Sequence, residues 1–146
     1  MRIALGSDER TALTDELVAT LRAEGHEVAL FGPLAGGDQE WVAASAETAR
    51  AVADGRADRG IVCCWSGTGA SIAANKVRGV RAALCGDAET ARMARRYNHA
   101  NVLALSLRVT SPPMGREIVE AFLGEPDGAD DFDLRNVAEL RGMEEG

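Results

Sequence analysis

The sequence predicts an α/β protein: one domain built on a Rossmann-like, doubly wound sheet of five parallel strands, with helices on both faces. Three observations carry this. Short apolar runs alternate with segments of helical periodicity through residues 1–124. The run RGIVCC (59–64) shows no polar alternation until its last residues, which marks a strand covered by helices on both sides. Only 4% of the chain is aromatic, so Ala, Val, Leu and Ile must fill the core, as suits helix-on-sheet packing.

The first strand is RIALG (2–6). In the SDERTALTDELVATLRAEG that follows, Leu13, Leu17, Val18 and Leu21 recur at helical spacing, and Gly25 stops the helix. HEVALFG (26–32) is a second strand, and PLAGGDQE (33–40), rich in turn formers, is a loop. An alanine-rich helix over 41–54 ends at Gly55, and RGIVCC supplies the third strand. The pattern continues with a helix over 69–76, strand 80–85, helix 87–98, strand 101–106 and helix 112–124. Pro112 and Pro113 fit the start of that last helix, where missing amide donors cost nothing. Crossovers between parallel strands are expected to be right-handed. Residues 125–146 form an acidic tail, in which FDLRNVAELRGM reads as a short helix that docks on a second subunit.

Bulk properties narrow the function. The formal charge of −7 argues against a nucleic-acid partner, which requires clustered cations. No apolar segment approaches the roughly 18 residues of a membrane span, and the chain opens directly into a strand without a signal-peptide pattern. Three cysteines, two of them adjacent, make no disulfide framework, and no Cys or His spacing fits a zinc site. Free thiols then imply a reducing, cytoplasmic compartment.

Open parallel sheets bind ligands beyond the carboxyl ends of their strands. This nominates Gly6 to Asp8, Cys64 to Gly69, Cys85 to Asp87 and Ser106 to Arg108. SGTG (66–69) lies between a strand and a helix, so its amides would converge on an anion or a developing oxyanion; the alternative is a glycine turn without a ligand. It is neither a Walker A loop nor a GxGxxG fingerprint. Cys64 ends its strand facing this mouth and is either a proton-transfer thiol or a small core residue, while Cys63 points the other way. Asp8 is either a ligand for sugar hydroxyls or the N-cap of the next helix. His99, past a helix end, either does chemistry or complements the helix dipole. Cys85 reads as core or pocket wall, and His26 as solvated. Lys76 is the only lysine beside fifteen arginines and falls in the same motif, which hints at a role in holding the loop.

GSD (6–8), ADRGIVCCWSGTGASIAANKVRGVRAALC (57–85) and NHANVLALSLRV (98–109) together resemble the ribose-5-phosphate isomerase type B family, which includes the galactose-6-phosphate isomerase subunits. The resemblance implies a homodimer or tetramer with sites between subunits, no metal, no organic cofactor, and aldose–ketose interconversion through a cis-enediolate. Cys64 falls where one branch of the family keeps its cysteine base, and Ser66 where it keeps a Thr or Ser that assists proton movement. The other branch's glutamate base would fall at Ala70 and is absent. The resemblance assigns the amides of Gly67, Thr68, Gly69 and Ala70 to the enediolate, and Asp8 and Asn98 to hydroxyls.

The departures are specific. The family's GSDHAG reads GSDERT, with Glu9 in place of a histidine and Arg10 after it. Its DYPDYA aligns with WVAASA (41–46), so the pocket's Tyr and Asp are missing. The ring-opening histidine position is Tyr97, followed by Asn98 and His99, which leaves that step to Tyr97 or His99. The basic GRHQRRV-like tail reads DDFDLRNV: Phe132 and Asp133 replace Arg-His, and carboxylates repel a phosphate dianion. Arg108 stays in place, and Arg10, Arg135 and Arg141 are candidates to compensate. The expectation is an isomerase of a sugar or sugar phosphate, with ribose 5-phosphate as the family default and an altered, unphosphorylated or carboxylated sugar as the substrate the lost basic tail suggests. The alternative is a non-catalytic partner subunit of the same fold that binds a sugar metabolite. An unrelated nucleotide-binding domain is disfavoured by the missing fingerprints.

Overall fold

The computed structural model describes residues 1–145. Its strands are β1 (Arg2–Ser7), β2 (Glu27–Phe31), β3 (Arg59–Cys64), β4 (Ala82–Leu84) and β5 (Val102–Ser106), all parallel, in the order β2-β1-β3-β5-β4. Six helices alternate with them: α1 (Ala12–Ala23), α2 (Trp41–Ala53), α3 (Thr68–Asn75), α4 (Ala88–Asn98), α5 (Pro112–Gly124) and α6 (Asp131–Met143). The expected loop after β2 contains a short 3-10 turn, Gly32–Ala35. Among the described residues no helix is long and apolar enough to cross a membrane.

Strand alternation sends neighbouring side chains to opposite faces, and the two faces are packed differently. On one, Ile3, Leu5, Ile61, Cys63, Leu103 and Leu105 meet Leu13, Leu17 and Leu21 of α1 and Ile118 and Phe122 of α5. Truncating one of these large buried side chains to alanine costs about 2–5 kcal/mol. On the other, Val62, Cys64, Val102 and Ala104 meet Ala49 of α2 and Ala70 and Ala74 of α3. Small residues there let the helices close in on the sheet; a Cβ at Gly6 would lie 1.9 Å from Thr48 Oγ1. Cys64 is therefore held against α3.

The edge strand β4 is shorter than the 80–85 run suggests, and side-chain amides bond the backbone at and before its start. Asn75 receives the Ala82 N–H at 2.8 Å and donates to its carbonyl at 2.9 Å. Asn101 does the same between the Arg81 amide and the Gly79 carbonyl, at 2.8 and 2.9 Å. Both amides cover backbone groups that an open sheet edge would leave unpaired.

The tail is fastened to its own domain. Arg95, 3% exposed, donates to the carbonyls of Ala100 (2.6 Å) and Glu125 (3.1 Å), pairs with Asp127 (2.7 Å) and lies 5.7 Å over the Phe122 ring. Val137 of α6 is buried, and the Glu144 carboxylate accepts from the Gly79 amide at 3.0 Å. Phe132, Leu134, Leu140 and Met143 remain exposed on α6.

Candidate active site

After β1 the chain turns outward to β2, then returns to lay β3 on the opposite side of β1, which creates a switch point beyond the strand ends. Register places Ser7 beside Cys63 and Cys64 beside Ser106. Asp8, Cys64 to Ser66 and Ser106 to Arg108 consequently share one mouth at the C-terminal edge. The loops that form it are stitched together: the Cys64 carbonyl accepts from the Leu107 amide at 2.9 Å, and the Trp65 carbonyl from the Arg108 amide at 3.0 Å and Ser106 Oγ at 2.9 Å.

The Cys64 thiol is 6% exposed, and the Ala70 N–H, in the first turn of α3, donates to its sulfur at 3.4 Å. The positive end of the helix thus lies against the sulfur. Cys63 belongs to the opposite core, where burial pushes its thiol up to about 12; burial likewise raises Cys85 to about 11. Neither forms thiolate at neutral pH.

Gly67 opens α3 in the left-handed region, φ 78°, and a Cβ there would sit 2.6 Å from Leu84 Cδ1 and 2.9 Å from the Leu105 carbonyl carbon. Both conformation and space require glycine. The first backbone bond within α3 runs from the Ser71 amide to the Gly67 carbonyl at 3.0 Å, so the Thr68 and Gly69 amides precede it and face outward from the helix end. Ala70, assigned by resemblance to the same amide group, is committed to the thiol. Ser66 Oγ and Thr68 Oγ1 are 2.7 Å apart and both residues are exposed.

Asp8 is not a helix cap: Thr11 caps α1, in a reciprocal pair with Thr14. Its Oδ1 is buried with no hydrogen-bond partner, and burial, with the neighbouring Glu9 charge, raises its carboxyl above the ordinary range. Glu9 and Arg10 are exposed on the same loop, Arg10 paired with Asp15 at 2.8 Å. Arg108 is exposed at the β5 side of the mouth.

The remaining candidates lie elsewhere. Helix α4 runs antiparallel to the strands, so Tyr97, Asn98 and His99 stand at the N-terminal edge of the sheet, where the Asn101 carbonyl accepts from the Gly60 amide. A six-residue strand such as β3 separates the edges by roughly 17 Å. His99, 7% exposed, donates from Nε2 to the Gly128 carbonyl at 2.8 Å, and its Nδ1 lies 3.8 Å from Asp127. Tyr97 and Asn98 instead border a cleft of ≈ 460 Å³ with Phe132, Asp133, Asn136, Glu139, Leu140 and Met143. Two carboxylates and no cation line it. Arg135 is exposed on α6 outside that lining.

Two contributors were absent from the sequence-derived set. Asn75 positions β4 beside α3, as described above. Trp41 lies across Gly69, where a Cβ would meet ring atom Cε3 at 2.9 Å. Among the described residues, no three His, Cys, Asp or Glu side chains gather as a metal site.

Comparison with known proteins places this geometry in context. The profile of the ribose/galactose isomerase family matches residues 3–139. Ribose-5-phosphate isomerase B of Escherichia coli is 39% identical over 124 residues, 84% of this chain and 83% of that one. D-erythrulose-4-phosphate isomerase of Pectobacterium atrosepticum is 48% identical over 75 residues, 51% of this chain and 49% of that one. The structure of Clostridium thermocellum ribose-5-phosphate isomerase B superposes with a TM-score of 0.92 at 37% identity, over 99% of this chain and 98% of that one.

Proposed function

This chain belongs to the ribose/galactose isomerase family, and we propose that it interconverts an aldose and a ketose sugar phosphate through a cis-enediolate, with Cys64 as the proton-transfer base. The observation that carries this reading is the Cys64 sulfur held at 3.4 Å from the Ala70 amide, beside the open first-turn amides of α3.

In the aldose-to-ketose direction, the Cys64 thiolate takes the proton from C2, and the electron pair of that C–H bond forms the C1–C2 double bond as negative charge moves to O1. The Thr68 and Gly69 amides stabilise that oxygen. Ser66, paired with Thr68, relays the hydroxyl proton between O2 and O1. Cys64 then returns its proton to C1, leaving a C2 ketone and a regenerated thiolate. Asp8 Oδ1 accepts from a sugar hydroxyl, and Arg108, with Arg10 beside it, supplies positive charge for the phosphate.

Tyr97 and Asn98 reach this mouth only from a second copy of the chain, because the sheet separates them from Cys64 within one copy. Tyr97 serves as the ring-opening donor in this arrangement, since it is exposed whereas His99 is engaged with Gly128 and Asp127.

Proton NMR in D2O tests the proposal. Ribose 5-phosphate incubated with the protein gains deuterium at C1 or C2, and the Cys64→Ala protein gives none. If the parent protein exchanges no proton in ribose 5-phosphate, erythrulose 4-phosphate or free ribose, the isomerase reading fails and a non-catalytic sugar-binding subunit takes its place.

A further inference from the structure

The chain contains two tryptophans, and both flank the glycine loop. Trp41 lies with ring atoms Cε3 and Cζ3 at 2.9 and 3.0 Å from where a Gly69 Cβ would be, so the loop carries an indole on its surface. Trp65 stands between Cys64 and Ser66, with its carbonyl held by Arg108 and Ser106. That backbone is fixed, yet Trp65 is 62% exposed and Trp41 43%. A large ring held in water beside a reactive group is an apolar surface awaiting a contact, and here it borders the polar groups assigned to the substrate.

Resting on the isomerase reading of this mouth, we propose that Trp41 and Trp65 are substrate-contacting, specificity-determining walls that take the C–H face of the sugar skeleton. A sugar has hydroxyl edges and a face of C–H bonds polarised by their oxygens. Those hydrogens are attracted to the electron-rich face of an indole, as cations are. The mouth offers both halves of the match: Asp8, Ser66 and the α3 amides for oxygens, and two indole faces for carbon. Covering the loop with indole also excludes water from the enediolate, which strengthens the amide contacts to its charge. Trp65, next in the chain to the base, carries the larger share.

The two rings are also the protein's own reporters. In the Cys64→Ala protein, which binds without turnover, tryptophan emission is followed as ribose 5-phosphate or erythrulose 4-phosphate is titrated, with calorimetry in parallel. Steady-state kinetics of the parent is compared with Trp65→Ala, Trp65→Phe, Trp41→Ala and Trp41→Phe. The emission is expected to shift with the calorimetric Kd. Trp65→Ala is expected to raise KM about tenfold with a much smaller change in kcat, the signature of lost uniform binding, and Trp65→Phe to recover most of it. Sugar binding without an emission change, together with alanine variants whose KM stays within about twofold of the parent, overturns the proposal while leaving the isomerase reading intact. Alanine variants that dissociate into monomers and keep the parent KM overturn it as well, and assign the indoles to contact between copies. Failure of the parent to bind or turn over any of these sugars overturns both readings together.

Discussion

At the C-terminal edge of the sheet, a buried thiol, an unpartnered carboxylate oxygen and the first amides of α3 are fixed by backbone that tolerates little change. At the N-terminal edge, the α4–α6 cleft is built from side chains standing on two helices, with Arg95 of α4 tied to Glu125 and Asp127 in the segment that leads into α6. Under the proposed function, the contrast is between chemistry written in main chain and recognition written in side chains. A side chain at Gly67 would violate both φ and space, whereas Phe132 is 64% exposed. A family can therefore keep one reaction while changing what the substrate's far end meets. Here the cleft presents two carboxylates, two amides, a phenol and apolar surface.

The largest expected effect lies at the first edge and separates two neighbouring cysteines. Cys64→Ala removes the proposed base and is expected to lower kcat by about 10²–10⁴, the range for a general base. Cys63→Ala, one residue away but in the opposite core, is expected to keep turnover and lose about 1 kcal/mol of stability from a small cavity. With the Cys63 and Cys85 thiols raised to about 12 and 11 by burial, iodoacetamide should label at most one thiol per folded chain at pH 7. Equal turnover losses in the two variants would break the comparison between the faces.

The second edge is tested by another pair. Tyr97→Phe is expected to leave the melting temperature unchanged and to slow ribose 5-phosphate about 10²-fold, at the low end of proton-transfer effects. Erythrulose 4-phosphate should be unaffected by that change, because its C4 oxygen carries the phosphate and no five-membered ring can close. His99→Ala should do the reverse, losing about 1–3 kcal/mol of stability as the Gly128 carbonyl is left unpaired, with turnover changed only slightly. If His99→Ala abolishes turnover of ribose 5-phosphate while the fold melts normally, ring opening belongs to His99.

The residues at these two edges are unequally legible in the sequence. Strand ends, helix starts and the Cys64 loop follow from local patterns: apolar runs set the strands, glycines set the breaks, and alternation alone separates Cys64 from Cys63. What the sequence hides depends on contacts between distant segments. His99 turns inward because Gly128, 29 residues later, offers its carbonyl. Trp41 gains its place only when α2 brings it over Gly69, and Asn75 its role only when β4 forms beside it. The insertion of β5 between β3 and β4 is a pairing choice made in three dimensions. Local pattern fits Asp8 equally well as a cap or as a ligand, and only the Thr11 cap on α1 removes the first of these.

The smallest expected effect concerns Asp8 and joins stability to function at the first edge. Burial raises its carboxyl above the ordinary 3.8, so the folded protein holds the Asp8 proton more tightly than the unfolded chain does. The stability this proton contributes is fully present below 3.8 and is lost as pH rises through the higher folded value. At pH 7 the ionised carboxylate is a penalty on the fold, with Oδ1 lacking any donor. Asp8→Asn should therefore raise the melting temperature slightly at pH 7 and leave it unraised at pH 3. Under the proposed function a sugar hydroxyl supplies the missing donor, so ribose 5-phosphate should raise the parent's melting temperature at pH 7 by more than that of the Asp8→Asn protein. A variant that melts lower than the parent at pH 7 without sugar would show that the Asp8 carboxylate is satisfied by the fold itself, and would remove the reason to place a hydroxyl there.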